Sequence, residues 1–289
     1  MNSFSFGQYY PSDSIIHKMD PRAKILISLV YMVAVFFVVS YVGYAFTLLA
    51  LLAVTIIAKV PFKVVLKSVK GILFILVFTA LLNVLFYKQG KVLVSFWKIT
   101  ITLGGIDYAI KMILRLGLLV MGTSMLTFTT SATELTDGLE SLLKPLSYIK
   151  VPVHDIAIIM SIALRFIPSL TEETQKIMQA QKARGANIDT GNFFQRVKAM
   201  IPILIPLFVS AFRRADELAN ALDARCYNAS PKRTKMKVLK MTVKDLVALA
   251  LVAAFITLIC LDKYLVPGGM GLDIYIVEFI KGLSLWDTY

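Results

Sequence analysis

The hydrophobic positions of this chain gather into unbroken runs instead of alternating with polar ones. Runs fall at 25–40, 44–58, 72–87, 110–128 and 246–261, each near the roughly 20 residues that a helix needs to cross a bilayer. The shorter runs require tilt, local thinning or flanking lysines to match the membrane. Uncharged Tyr41-Val42-Gly43 joins the first two runs as a tight turn. A loop with Lys88, Gln89, Gly90 and Lys91 follows the third, and Leu103-Gly104-Gly105 breaks the chain again before the fourth. Between 131 and 244 the pattern changes: apolar residues recur at helical spacing among 17 Lys plus Arg and 10 Asp plus Glu.

This pattern predicts an all-α integral membrane protein, with about five transmembrane helices and a cytosolic domain of helices lying parallel to the inner membrane face. The expected division is a cytosolic N-terminal arm at 1–24, four transmembrane helices within 25–130, the cytosolic domain at 131–244, a last transmembrane helix at 245–265 and a tail at 266–289. In the tail, Pro267-Gly268-Gly269 breaks the chain, and Ile274, Val277, Ile280 and Leu283 have the spacing of an interfacial helix.

Charge sets the direction, because cytoplasmic segments hold an excess of Lys and Arg. The arm carries Lys18, Arg22 and Lys24; the second-to-third linker carries Lys59, Lys63, Lys67 and Lys70 with no acid; the first turn has no charge. The N-terminus is therefore expected in the cytoplasm, although Lys88, Lys91 and Lys98 run against the bias. The net charge of +13 and hydrophobic content of 57% fit a membrane protein. Nucleic acid is disfavoured, since no basic groove with interleaved aromatics and no zinc spacing occurs. Cys226 and Cys260 fall in different predicted environments, far from His17 and His154, so neither a disulfide nor a metal site is expected. The opening MNSFSFGQYYPSDS lacks a basic-then-apolar leader pattern.

One internal match stands out. Residues 180–187 and 221–228 both read A-x-x-A-R-x-x-N, 41 positions apart. Each closes a helical pattern expected to start after proline: the first after Pro168, with Ser169 and Glu172 at capping-box spacing, the second after Pro202 and Pro206. Phe208, Phe212, Ala215, Leu218, Ala219 and Leu222 form an apolar stripe on the second helix. Arg184 and Arg225 stand beside small residues, which let a flat, permanently charged fork approach carboxylates or carbonyls. Gly185 and the two asparagines suit the left-handed residue that stops a helix. An arginine there also complements the helix dipole or meets anionic lipid, but neither role requires the same alanines and asparagine twice. A matched pair suggests two similar receptor sites.

Taken together, these features resemble the transmembrane T component of energy-coupling factor transporters. The resemblance rests on residues 14–24 with Asp20-Pro21-Arg22, on Ile162-Ala163-Leu164-Arg165-Phe166-Ile167-Pro168, and on Ala183-Arg184-Gly185 and Ala224-Arg225-Cys226; in the last, Cys stands where the family commonly has Gly. It covers about residues 7–265. It implies a bacterial plasma-membrane subunit of an importer for vitamins or transition metal ions. Its two coupling helices would dock on two ATP-binding-cassette ATPases through Arg184 and Arg225, and its membrane spans would hold a small S component. ATP and magnesium would sit on the ATPases, with no cofactor on this chain.

The chain's own motifs agree with a non-catalytic role. Gly90-Lys91 lacks the first glycine of a phosphate loop, and neither G-x-S-x-G nor H-E-x-x-H occurs. The alternative function is a permease that itself carries substrate, which would call for polar or broken helices near the midplane. For Asp20-Pro21-Arg22, two readings are equally open: a turn with a positive-inside anchor, or a brace for the cytosolic helices. Lys111 and Arg115 are expected to snorkel to headgroups, with a polar contact to the S component as the alternative. Asn83 is expected to bond to a neighbouring helix. Met121, Met125, Met160, Met178 and Met200 read as packing residues.

Overall fold

The computed structural model describes residues 9–89, 92–96, 99–186, 193–227 and 241–265. The chain divides into two compact units, one formed by residues up to 142 together with those from 240 onward, the other by 143–239.

The first unit holds α1 (Pro21–Phe37), α2 (Tyr41–Ala58), α3 (Phe62–Gly71), α4 (Leu73–Phe86), the strands β1 (Val92–Phe96) and β2 (Ile99–Thr102), α5 (Leu103–Thr129), α6 (Ala132–Leu143) and, later in the chain, α9 (Val243–Leu265). The starts are written locally. Asp20 caps α1, with Pro21 as its first residue, where the missing N–H costs nothing. Ser40 caps α2 by accepting from the Val42 N–H. Thr102 caps α5 by accepting from the Gly105 N–H. That cap explains why α5 starts at Leu103 and not at 110. Gly104 and Gly105 do not break the chain: a Cβ on Gly105 would lie 3.0 Å from the Tyr87 carbonyl oxygen, so glycine permits a close pass of two segments. The paired strands β1 and β2 are antiparallel and occupy what the sequence presents as a loop.

Helix α5 packs on α1, α2, α3 and α4. At one end Met121, Met125 and Phe128 meet Leu51, Ala58, Val60 and Val65, so two of the five methionines are core filler as expected. Nearer its other end, Leu118 packs with Ala34, Val35, Val38, Tyr44 and Ile259. Between them Gly122 lets the Tyr31 ring lie where a Cβ would come within 2.0 Å, and the Tyr31 hydroxyl donates to the Leu118 carbonyl at 3.0 Å. Outside this core, large apolar side chains such as Phe36, Leu49, Ile56 and Phe74 are exposed, Phe74 at 81%. So broad an apolar exterior suits lipid as the solvent, with the backbone bonds satisfied inside each helix.

By length and composition α2, α5, 153–183 and Val243–Leu261 can each cross a membrane, and α3 with α4, bent by 58°, makes a fifth if the pair is one span. The expected third span at 72–87 is thus α4 alone, preceded by a helix at an angle. The expected cytosolic domain contains a helix long and apolar enough to cross.

The second unit opens with a 3-10 turn, Lys144–Ile149, followed by α7 (Val153–Ala183) and α8 (Phe193–Ala224), which pack on each other. The expected helix starts are corrected here. Pro168 lies inside α7, and Pro202 and Pro206 lie inside α8. Each proline removes one backbone hydrogen bond, but long apolar flanks carry the helix through. Ser169 and Glu172 therefore form no capping box.

Candidate functional site

The two arginine motifs end α7 and α8 with the same backbone construction. At the first, the Gly185 N–H donates to the Lys182 carbonyl and the Ala186 N–H to Gln181, both at 3.0 Å. At the second, the Cys226 N–H donates to Asp223 and the Tyr227 N–H to Leu222, both at 2.9 Å. These are the two bonds of a Schellman stop, displaced by the same 41 positions as the sequence match. Gly185 takes φ +86° and Cys226 φ +52°. The left-handed residue is therefore the one after each arginine, not an asparagine; Asn187 and Asn228 lie outside the described residues. Glycine adopts this conformation freely, whereas Cys226 holds it at a cost of about 1–2 kcal/mol.

The stops put Arg184 and Arg225 at exposed helix ends, flanked by exposed Ala183 and Ala224. Among the described residues neither guanidinium has a hydrogen-bond or ion-pair partner. The stripe on α8 is only partly covered within its unit: Leu218 and Leu222 are half-buried, whereas Phe208 and Phe212 are exposed and stacked at 6.4 Å between ring centres.

A bridge between α7 and α8 was not anticipated from the sequence. Arg214 of α8 donates to Glu173 Oε2 of α7 at 2.7 Å and to the Ser169 hydroxyl. Glu173 and Arg214 are themselves 41 positions apart, and each stands eleven residues before its arginine. The bridge is thus equidistant from both ends, about 16 Å along each helix at 1.5 Å per residue. The sequence signal that could have revealed it is opposite charge at the same 41-residue offset, with Glu172, Glu173 and Lys176 corresponding to Arg213, Arg214 and Glu217. The pair is partly exposed, so a coupling of about 0.5–1 kcal/mol is expected from a double-mutant cycle. Thermal unfolding of Glu173→Arg, Arg214→Glu and the exchanged double variant measures it. Stability should fall in each single variant and return in the exchange; a double variant no better than the sum of the singles would mean the pair does not hold the helices.

In the first unit, Asp20-Pro21-Arg22 forms a buried junction. Asp20 Oδ1 accepts from the Arg22 N–H at 2.9 Å, with Arg22 Nε at 4.0 Å. The Asp20 N–H donates to Asp245 Oδ1 at 3.0 Å, and the other Asp245 oxygen accepts from the Thr242 N–H at 2.8 Å. Asp245, 1% exposed, therefore caps α9 and ties it to α1. Lys24, 5% exposed, donates to the carbonyls of His17 and Thr129, both at 2.9 Å, joining α1 to the negative end of α5. A Cβ on Gly138 of α6 would lie 3.0 Å from Pro21. Lys24 reads in sequence as a surface charge, whereas the cap at Asp245 has a local signal, T-x-x-D ahead of an apolar run.

At the other end of α5, Lys111 does not snorkel. It pairs with Asp107 at 2.9 Å over the Tyr41 ring, and the Tyr41 hydroxyl donates to Asp107. Arg115 donates to the Val38 carbonyl at 3.0 Å. Both cations close the turn between α1 and α2. Asn83 donates to Thr79 of its own helix, not to a neighbour. Both cysteines are free and exposed, and the described residues contain no cluster of three metal-ligating side chains.

Residues 12–236 match the family described as CbiQ, cobalt transport protein. A protein of Ruminiclostridium cellulolyticum, described as energy-coupling factor transporter transmembrane protein EcfT, is 47% identical over 264 residues, covering 91% of this chain and 98% of its own. Proteins of the same description from Clostridium kluyveri and Bacillus subtilis are 49% identical over 249 residues and 42% identical over 259. They cover 86% and 89% of this chain, and 92% and 98% of their own.

Proposed function

The chain belongs to the CbiQ family of cobalt transport proteins and is a multi-pass membrane component of a transporter, and from that premise we propose that it couples two ATPase subunits to a small substrate-binding membrane subunit. In this reading Arg184 and Arg225, each framed by small residues, dock on the two ATPases, whose ATP and magnesium this chain does not bind. The membrane subunit captures a vitamin or a transition metal ion. The N-terminus and both arginine ends face the cytoplasm.

The observation that carries the reading is the identity of the two ends. Two helices stop with the same hydrogen bonds, present the same exposed arginine, and are bridged at equivalent positions. Two copies of one plug fit two similar sockets, as a pair of related ATPases offers. The packing of α7 on α8, with the Glu173–Arg214 bridge across it, holds the two plugs together. The junction at Asp20, Lys24 and Asp245 ties α1, α5 and α9 together within the first unit.

The role is tested by separating the subunits. The purified chain alone should hydrolyse no ATP, and ATPase chains should co-purify with it from native membranes. Sustained hydrolysis by the isolated chain, or transport by it without ATPases, would sink the coupling role.

A further inference from the structure

We propose that the outer face of α3 is a binding surface for the phosphates of anionic lipid headgroups, formed by Lys63, Lys67 and Lys70 beside Phe62 and Leu66. The proposal is independent of the coupling role.

Helix α3 is ten residues long and two-faced. Val65 is fully buried on the cluster containing Met125 and Phe128, with Val64 and Val69 against it. The opposite side is exposed. There Lys63, Lys67 and Lys70, at positions i, i+4 and i+7, form one stripe, and exposed Phe62 and Leu66, also four apart, form the row next to it. Cations with an adjoining apolar row are the pattern of a helix lying in the membrane interface, apolar edge toward acyl chains and ammonium groups toward phosphates.

Two observations decide for lipid. First, the chain has no acidic residue between Asp20 and Asp107, and among the described residues none of the three lysines pairs with a carboxylate. Lys59 differs, since it interacts electrostatically with Asp13. The stripe is therefore an uncompensated positive surface. Second, α3 runs into α4 through a 58° bend, and α4 presents Phe74 and Phe78, exposed and stacked at 6.2 Å. The lysines stand where an apolar, lipid-solvated helix gives way to a charged one, the depth at which headgroup phosphates lie. Lysine suits that target: it is a mobile point charge that needs no planar acceptor.

The test uses the full chain in detergent micelles with equal amounts of phosphatidylglycerol and phosphatidylcholine, counting retained lipids by native mass spectrometry. The wild type should retain phosphatidylglycerol preferentially, and the preference should collapse at about 1 M salt, where screening acts within about 3 Å. Lys63→Gln with Lys67→Gln and Lys70→Gln should reduce it by about fivefold per lysine. The same three positions as arginine should keep it, and Lys144→Gln with Lys150→Gln should leave it unchanged. An undiminished preference in the glutamine variant overturns the proposal. So does displacement of the lipid by inorganic phosphate, which would mark a site for the free anion. Loss of co-purifying protein partners with unchanged lipid retention would show a protein-facing surface and overturn it equally.

Discussion

Reversing both arginines proposed to dock, Arg184→Glu with Arg225→Glu, is expected to abolish ATP-driven uptake while leaving the chain folded. Both side chains are exposed and unpartnered among the described residues, so the reversal removes no hydrogen bond and costs only the dipole term at two helix C-termini, about 1–2 kcal/mol together, which leaves the chain folded. The loss falls on the partner interface. Each arginine that meets a carboxylate or carbonyl there contributes about 1.5–3 kcal/mol as a charge-assisted hydrogen bond. Losing both weakens ATPase association by about two to four orders of magnitude, and like-charge repulsion adds to it. Single reversals should be intermediate, because one plug remains. Co-purification of ATPase subunits and uptake per ATP hydrolysed measure the effect. Normal assembly and transport in the double variant would remove Arg184 and Arg225 from the docking role.

Replacing Asp245 acts on the opposite part of the molecule. Its two oxygens accept from the buried Asp20 N–H and the partly exposed Thr242 N–H, while Asp245 itself has almost no solvent access. Asp245→Ala leaves the buried Asp20 N–H unsatisfied, costing about 1–3 kcal/mol, and removes the acceptor of the partly exposed Thr242 N–H, worth about 1 kcal/mol as a helix cap, so a loss of about 2–4 kcal/mol is expected. Asp245→Asn keeps one acceptor and should lose roughly half as much. Unfolding of the full chain in detergent, followed by temperature or denaturant, reads this directly. A change below about 0.5 kcal/mol for the alanine variant would show that the start of α9 is not tied to α1 through this carboxylate.

The membrane class, the helical make-up and the duplicated arginine motif were legible in the sequence because each is local. A run of apolar residues announces its solvent, and A-x-x-A-R repeated 41 positions apart announces itself. The stop after each arginine was partly legible: Gly185 named its own conformation, while Cys226 did not, since a side chain seldom adopts positive φ and nothing local marks where it will. Prolines misled, because Pro168, Pro202 and Pro206 usually begin or end helices but are carried inside one when long flanks fix the backbone.

What the tertiary structure alone decided are the contacts between residues far apart in the chain. Lys24 looked like a surface charge until the ends of α5 and the N-terminal arm supplied two carbonyls. Lys111 looked like a headgroup anchor until Asp107 and Tyr41 enclosed it. Glu173 and Arg214 have no sequence neighbour to pair them, and meet only because α7 packs on α8. In each case charge and residue type come from the sequence, but the partner does not: a charged group goes wherever its hydrogen bonds are satisfied, and only the packed helices determine where that is.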